Sequence, residues 1–325
     1  MEYTVSPITH PARRSLSRIG LAYFLFFAVS YGGQILLLML FGRLAPGFLS
    51  GLLGTWLLSL LPMYAMALPI FYLLLRPLPQ VATQKRRLRP RHLLLFFFIA
   101  YAVLYISNLI GLLINLLTEA ATGVSSSSGA VEIIESSPLG YTLLFAVLLG
   151  PALEELMFRR LILSRLLPFG EGFAILGSSL LFALFHANLA QFFYAFAVGV
   201  VLAYVTVVTG RLRYSVTLHC AINFCGSILP LLLLRGVSLE MPEGEWTLEV
   251  ILEMFPSLLL LLAYLGTVVI GVAIGLFLIG FTLRRVRLAP APVPIPRGEW
   301  RHLLLSPGML LLALTVLATF FLSYL

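Results

Sequence analysis

The sequence predicts an all-α protein, a polytopic transmembrane helical bundle of about nine helices. Of its 325 residues, 60% are hydrophobic and only 10% are charged, and the mean hydropathy is +1.04. Soluble domains carry about 25% charged residues. No polar stretch of this chain is long enough to build such a domain. A soluble protein is therefore excluded. The net charge of +8 is interpreted as a topology signal rather than a sign of nucleic-acid binding.

The predicted helices follow one another along the chain with short connections. The first apolar run is too long for the core of a signal peptide and is predicted to be a retained helix. Eight runs approach or exceed the spanning length, and a ninth, 172–187, is shorter and is predicted to turn within the protein. The eight are 19–42, 52–75, 93–117, 139–166, 189–209, 214–234, 256–283 and 303–324. Small residues four apart predict close helix packing at Ala195, Gly199 and Ala203 and at Gly271 and Gly275.

Charge fixes the predicted orientation, with nine crossings and a cytoplasmic N-terminus. Arginine-rich segments then share the cytoplasmic side, and acidic loops with Glu119, Glu132, Glu135, Glu240, Glu243, Glu245, Glu249 and Glu253 share the other side. We expect a multi-pass protein of a bacterial plasma membrane. The predicted units are a cytoplasmic segment (1–18), N-terminal helices (19–139), a core rich in buried polar residues (140–235), an acidic outer loop with the eighth helix (236–283), and a proline-rich linker with the final helix (284–325).

Two adjacent glutamates, Glu154 and Glu155, lie inside the fourth predicted helix. A carboxylate in hydrocarbon costs about 2.5–3.5 kcal/mol on insertion scales, so the pair needs a strong reason. Glu155 and Arg159 are four residues apart and are predicted to form a structural ion pair on one helix face. Glu154 points about 100° away and is predicted to be the chemically available carboxylate. Snorkelling to the basic end is disfavoured, because twelve residues of helix span roughly 18 Å.

Two histidines are the other ionisable side chains well inside the apolar runs. His186 ends the short helix, one turn after Phe182, which is predicted to pack beside the imidazole; Asn188 is predicted to cap the next helix. His219 and Asn223 are four apart on one face of the seventh helix. Each could alone be a hydrogen-bonded residue of the bundle. Together, a Glu and a His can activate water, and a His and an Asn can stabilise an oxyanion, which predicts hydrolysis of an acyl or peptide bond.

Three ordered motifs carry a resemblance to a known family. Glu154-Glu155-x-x-x-Arg159, Phe182-x-x-x-His186 and His219-x-x-x-Asn223 resemble those of the CPBP intramembrane proteases, which include the type II CAAX prenyl proteases and the bacteriocin-processing and self-immunity (Abi) proteins. The resemblance implies a glutamate-dependent endopeptidase without a cofactor, acting on a peptide or protein substrate in the membrane. It further implies that Glu154 and His186 activate water and that His219 and Asn223 form the oxyanion hole. The proline-rich linker and last helix depart from the family's pattern.

Several alternatives stay open at this point. Glu154, His186 and His219 could form a zinc site, although no helix carries two ligand histidines. A non-proteolytic immunity or scaffold protein and a proton-coupled transporter are the rival functions, and no second copy of the glutamate segment supports the transporter. Cys220 and Cys225 are predicted to stay unpaired. A prenylated tail, a leader peptide and a single-span protein are all candidate substrates. Water is expected to reach Glu154 through a cavity open to the basic, cytoplasmic face.

Overall fold

The computed structural model of the protein describes residues 11–49, 51–81, 83–123, 133–134, 136–234 and 248–322. Over these ranges the regular structure is helical throughout, which confirms the predicted fold class of a polytopic helical bundle. Parts of the predicted acidic loops lie outside the described residues: Glu132, Glu135, Glu240, Glu243 and Glu245, together with the side chains of Glu249 and Glu253.

Nine apolar helices occur in the described part of the chain, close to the predicted positions. Seven are long and apolar enough to cross a membrane: α1 Pro11–Leu44, α2 Leu52–Leu75, α3 Pro90–Ala121, α4 Leu139–Phe169, α6 Leu189–Thr209, α7 Leu212–Leu233 and α8 Met254–Arg285. Two are shorter: α5 Glu171–Phe185, as predicted, and α9 Pro307–Leu322. The predicted run 303–324 is too long for α9. Proline lacks an N–H and starts a new helix at Pro307, after the short helix Trp300–Leu304.

The basic segments meet at one end of the bundle. In the loop after α2, the Val81 N–H donates to Ser164 O at 2.9 Å, near the end of α4, and the Arg86 N–H donates to Thr209 O at 2.8 Å, at the end of α6. The end of the bundle that holds these contacts is termed the basic end. Helices α2, α4, α6 and α8 finish there, and α3, α5 and α7 begin there. The arrangement agrees with the charge segregation expected of a multi-pass membrane protein.

The linker and α9 both contact the rest of the bundle. The Ala289 N–H donates to Glu171 Oε2 at 2.7 Å, which fastens the linker to the start of α5. A Cβ built at Gly308 would lie 1.6 Å from Ser17 O, so α9 crosses α1 at a point with no room for a side chain. The segment that departs from the family pattern therefore braces the basic end of α4 and α5.

The predicted small-residue stripes lie at close helix crossings. A Cβ at Gly199 of α6 would lie 3.1 Å from a ring carbon of Phe182 of α5. A Cβ at Gly275 of α8 would lie 2.1 Å from Phe98 O of α3. Both glycines thus let neighbouring helices approach more closely than alanine would allow. The first contact also presses α6 against the Phe182 ring, which lies in the candidate site.

Candidate active site

Wide helical turns surround the candidate site. The glutamate pair lies on a regular α-helical stretch of α4, Gly150–Glu155, between two π-helical stretches, Thr142–Leu149 and Leu156–Leu163. Further π-helical stretches cover Leu61–Ala67 in α2 and Phe224–Ile228 in α7. Such turns are rare in proteins and occur frequently at functional sites. Here they lie in three helices, directly beside the regular stretches that carry the glutamates, His219 and Asn223.

A proline explains how α4 is tied to α7. In the first wide turn of α4, the Gly150 N–H bonds to Phe145 O, five residues earlier. The same pattern would require an N–H at Pro151 to satisfy Ala146 O, and proline has none. The side chain of Asn223 fills this role, with Nδ2 donating to Ala146 O at 3.0 Å. Asn223 therefore uses one amide hydrogen to join α7 to α4 and keeps the other for the cavity.

The predicted ion pair is present and fully buried. Arg159 Nε donates to Glu155 Oε2 at 3.2 Å, and both side chains are 0% exposed. Arg159 Nη1 also donates to Ser178 Oγ of α5 at 2.9 Å, and its guanidinium lies 5.1 Å from the centroid of the Phe182 ring. The pair thus connects α4 to α5 as well as neutralising a buried charge.

His219 lies between the two glutamates. Its Nδ1 is 3.2 Å from Glu155 Oε1, and its Nε2 is 3.6 Å from Glu154 Oε2. Because the Glu155 carboxylate is paired with Arg159, it accepts a hydrogen bond, so Nδ1 carries the proton. This contact fixes the orientation of the imidazole and directs Nε2 at Glu154. The sequence predicted Glu155 only as a structural partner of Arg159; the structure adds that it orients His219.

Among the described residues, the hydrogen-bond and close ion-pair contacts of Glu154 come from other helices. The Tyr64 hydroxyl of α2 donates to Glu154 Oε1 at 3.4 Å, and the Glu154 side chain is 16% exposed. Arg159 instead bonds to Glu155, so its guanidinium makes no hydrogen bond to Glu154 among the described residues. Tyr64 is a site residue that the sequence did not single out. The chain has 13 tyrosines, and residue type alone could not distinguish this one.

His186 presents an unengaged nitrogen. Its Nδ1 lies 3.0 Å from Phe182 O, and since a carbonyl only accepts, Nδ1 carries the proton and Nε2 keeps its lone pair. The Phe182 ring packs edge-on against the His186 ring at 5.0 Å, as predicted, and against the His219 ring at 5.5 Å. One phenyl ring therefore supports both imidazoles.

A strained residue follows His186. Ala187 has a φ of 49°, in the left-handed region that costs a residue with a Cβ about 1–2 kcal/mol. Asn188 directly precedes α6, and its Oδ1 accepts a hydrogen bond from the Gln191 N–H at 3.1 Å, which confirms the predicted cap. Helix α5 ends at Phe185, directly before His186, and α6 begins at Leu189. The His186 imidazole therefore lies where the end of α5 meets the start of α6.

One cavity of about 830 Å³ is lined by Glu154, His186, His219 and Asn223 together with Tyr64. The four side chains predicted to be catalytic, from three separate helices, thus share one space. Other polar groups line the same cavity: Gln34, Ser59, Asn108, Gln191, Tyr194 and Ser227. A site of this size with converging polar groups is typical of a ligand or substrate pocket.

The cavity occupies the half of the bundle remote from the basic end. Its lining includes Gln34 near the end of α1, Trp56 near the start of α2, and Ile134 before α4. The expectation that it opens to the basic face is therefore wrong. The physical reason lies in the aromatic packing on that side, where the rings of Phe158 and Phe182 meet edge-on at 5.2 Å and both side chains are buried.

Residues 136–225 match the family model of the Rce1-like type II CAAX prenyl endopeptidases. The resemblance predicted from the three motifs is confirmed over this region, which contains all seven predicted site residues. This matched region, 136–225, spans α4 to most of α7, whereas Tyr64 and α9 lie outside it. No curated protein and no solved structure matches the chain. The match supports a protease of the CAAX endopeptidase type in a multi-pass membrane protein.

The matched region offers few groupings of side chains that could ligate a metal ion. Within the part of the chain that the structure describes, no three His, Cys, Asp or Glu side chains form a group able to hold a metal ion. Cys220 and Cys225 are both free thiols. His186 and His219 each use Nδ1 for a hydrogen bond, to the Phe182 carbonyl and to Glu155, an arrangement that orients Nε2 for catalysis and would equally orient it for a metal ion.

Proposed function

We propose that the protein is an intramembrane endopeptidase in which Glu154 acts as general base. The observation that carries the proposal is the shared cavity, where Glu154 lies beside His219 and Tyr64 and where His186 presents a free Nε2. The Glu154 carboxylate takes a proton from a water molecule as the water oxygen bonds to the peptide carbonyl carbon. The His186 Nε2 accepts a hydrogen bond from the second O–H of that water and so orients the water for attack.

The negative oxygen of the tetrahedral intermediate needs donors. Asn223 supplies its second amide hydrogen, because the first is committed to Ala146 O. His219 supplies a second donor when its Nε2, which lies on the cavity side next to Glu154, carries a hydrogen. The intermediate then collapses, the carbon–nitrogen bond breaks, and the protonated Glu154 returns its proton to the leaving amine. The second hydrogen of the water remains on the new carboxyl group, which releases it as a proton to His186 Nε2 or to water when the product leaves.

The test compares Glu154→Gln with Glu119→Gln, which changes an exposed glutamate outside the cavity. Both proteins are reconstituted in liposomes and assayed with a prenylated CAAX peptide and with a single-span protein, each carrying a fluorophore and quencher. Loss of a general base costs about 10²–10⁴-fold in rate. We expect that loss for Glu154→Gln and normal turnover for Glu119→Gln. Full turnover by Glu154→Gln would reject the mechanism. If the protein instead acts by binding a partner without proteolysis, cells carrying Glu154→Gln should keep the wild-type phenotype.

We further propose that the substrate reaches the site from the face opposite the basic end. The positive-inside rule makes the basic end cytoplasmic, and the cavity lies in the other half. A leader peptide or a single-span protein presents a bond there, whereas a cytoplasmic prenylated tail does not. In a chain whose two cysteines are replaced by alanine, Ser227→Cys in the cavity should react with an impermeant maleimide added outside intact cells. Gln80→Cys, near the basic end, should react only after permeabilisation. The reverse pattern would overturn this orientation.

A further inference from the structure

A second cleft, distinct from the catalytic cavity, lies between α2 and α4 at the basic end. Its volume is about 730 Å³, and its apolar lining includes Leu68, Pro69, Leu156 and Leu161. Tyr64 lines both spaces and separates them. The cleft therefore runs along α4, in the half of the bundle that the cavity does not occupy.

Three arginines, Arg76, Arg160 and Arg165, converge on this cleft. In the described ranges of the chain, none of them forms an ion pair, and the cleft lining contains no glutamate. Three guanidinium groups around an apolar groove without a counter-charge repel one another. An anionic ligand would relieve that repulsion.

Arg165 is built into the cleft wall. It is 3% exposed, and its guanidinium donates from Nε to Leu75 O at 2.7 Å and from Nη1 to Leu161 O at 2.8 Å. These carbonyls belong to α2 and α4, so the charge is fixed between the two helices. No contact among the described residues uses Nη2, which leaves two N–H donors of a rigid, buried cation for a ligand.

The position of the cleft points to a lipid. Arg76 directly follows the last residue of α2, at the level where the membrane-spanning segment ends. Tyr72 lines the cleft and is 46% exposed, and the neighbouring Leu73 is 59% exposed, as expected for side chains facing acyl chains. Basic pockets between helices at this level bind anionic head groups, and arginine binds phosphate through paired hydrogen bonds. We propose that the cleft between α2 and α4 binds the phosphate of an anionic phospholipid.

The experiment measures lipid binding directly, without reference to peptide hydrolysis. Detergent-purified full-length protein is titrated with phosphatidylglycerol, and with phosphatidylcholine as the neutral comparison, and the bound lipid is counted by native mass spectrometry. The cleft variant is Arg76→Gln with Arg160→Gln. The matched control is Arg87→Gln with Arg91→Gln, which removes the same charge from exposed positions outside the cleft. We expect one phosphatidylglycerol on the wild type, at least tenfold weaker binding to the cleft variant, and unchanged binding to the control.

Each other result overturns the proposal. Equal binding by the wild type and the cleft variant would place the lipid elsewhere. Equal weakening in both double variants would reduce the effect to general charge attraction. Displacement of the lipid by millimolar inorganic phosphate would mean that the cleft takes a free anion. Displacement by a peptide with a free C-terminal carboxylate, but not by its amide, would assign the cleft to a substrate. None of these outcomes depends on the proposed peptidase chemistry, and a failure of that chemistry would leave the lipid result unchanged.

Discussion

The buried ion pair gives the sharpest stability prediction. Arg159→Met puts an unbranched apolar side chain in place of the guanidinium. It removes the hydrogen bonds to Glu155 at 3.2 Å and to Ser178 at 2.9 Å. Glu155, at 0% exposure, is then left with a charge and no cation. Removing one partner of a buried pair costs about 3–5 kcal/mol, chiefly because the other charge stays desolvated. We therefore expect Arg159→Met to lose about that much free energy of unfolding.

A second substitution separates charge from packing. Adding Glu155→Gln removes the stranded charge, and the glutamine Oε1 can still accept from His219 Nδ1. The double variant should regain at least half of the lost free energy of unfolding, about 2 kcal/mol or more. Its peptidase activity should stay low, since a neutral amide orients His219 more weakly than a carboxylate does. Recovery of stability without recovery of turnover would separate the role of Glu155 in the ion pair from its role in orienting His219.

The assay is denaturant-induced unfolding in mixed micelles, followed by tryptophan fluorescence. Arg91→Met is the control, because Arg91 is exposed, lies outside both the cavity and the cleft, and makes no ion pair among the described residues. Such surface changes usually stay within about 0.5 kcal/mol. If Arg159→Met cost less than about 1 kcal/mol, or if the double variant were no more stable than the single one, the buried-charge argument would be refuted.

Three further predictions concern the supporting contacts and a fourth concerns metal. Tyr64→Phe removes one hydrogen bond to the general base, about 1 kcal/mol, and should lower kcat about fivefold at unchanged folding, whereas Tyr72→Phe should not. Ala187→Val should lower the midpoint of thermal unfolding, since a β-branched residue resists positive φ, and Ala187→Gly should be tolerated. Gly308→Ala should destabilise by about 1–3 kcal/mol or more in the same unfolding assay, because its Cβ meets backbone, and Gly298→Ala should be neutral. Hydrolysis should survive strong chelation; loss with restoration by zinc would instead support the metal alternative.

The helices and the membrane class were predictable because their signals are local. Apolar runs of spanning length give the positions of seven helices, with bounds within about four residues except that α1 begins at Pro11 rather than at 19, and the shortness of α5 follows from its run of sixteen residues, 172–187. The bounds of α9 were predicted less well, because hydropathy does not distinguish Leu303 from Leu310 and only the proline between them marks the break. The ion pair of Glu155 with Arg159 was also predictable, since four-residue spacing on a helix fixes it.

The contacts between helices were not predictable from spacing. That Glu154 lies beside both Tyr64 and His219 depends on how α2 and α7 pack against α4, which one sequence does not encode locally. Tyr64 has no feature of its own that separates it from the other tyrosines. The side on which the cavity lies was predicted wrongly, because distance along a helix measures depth but not which side the packed phenyl rings fill.

The sequence by itself determined that the chain is a multi-pass helical membrane protein, where most of its helices run, and which seven residues form the three motifs behind the resemblance to the CPBP proteases. Hydrophobicity and helical periodicity act over a few residues and can be counted along the chain. Only the tertiary structure decided that these residues share one cavity, that Glu155 orients His219, and that the cavity lies away from the basic end. Those facts depend on helix crossings set by side-chain shape at distant positions, such as Gly199 against Phe182.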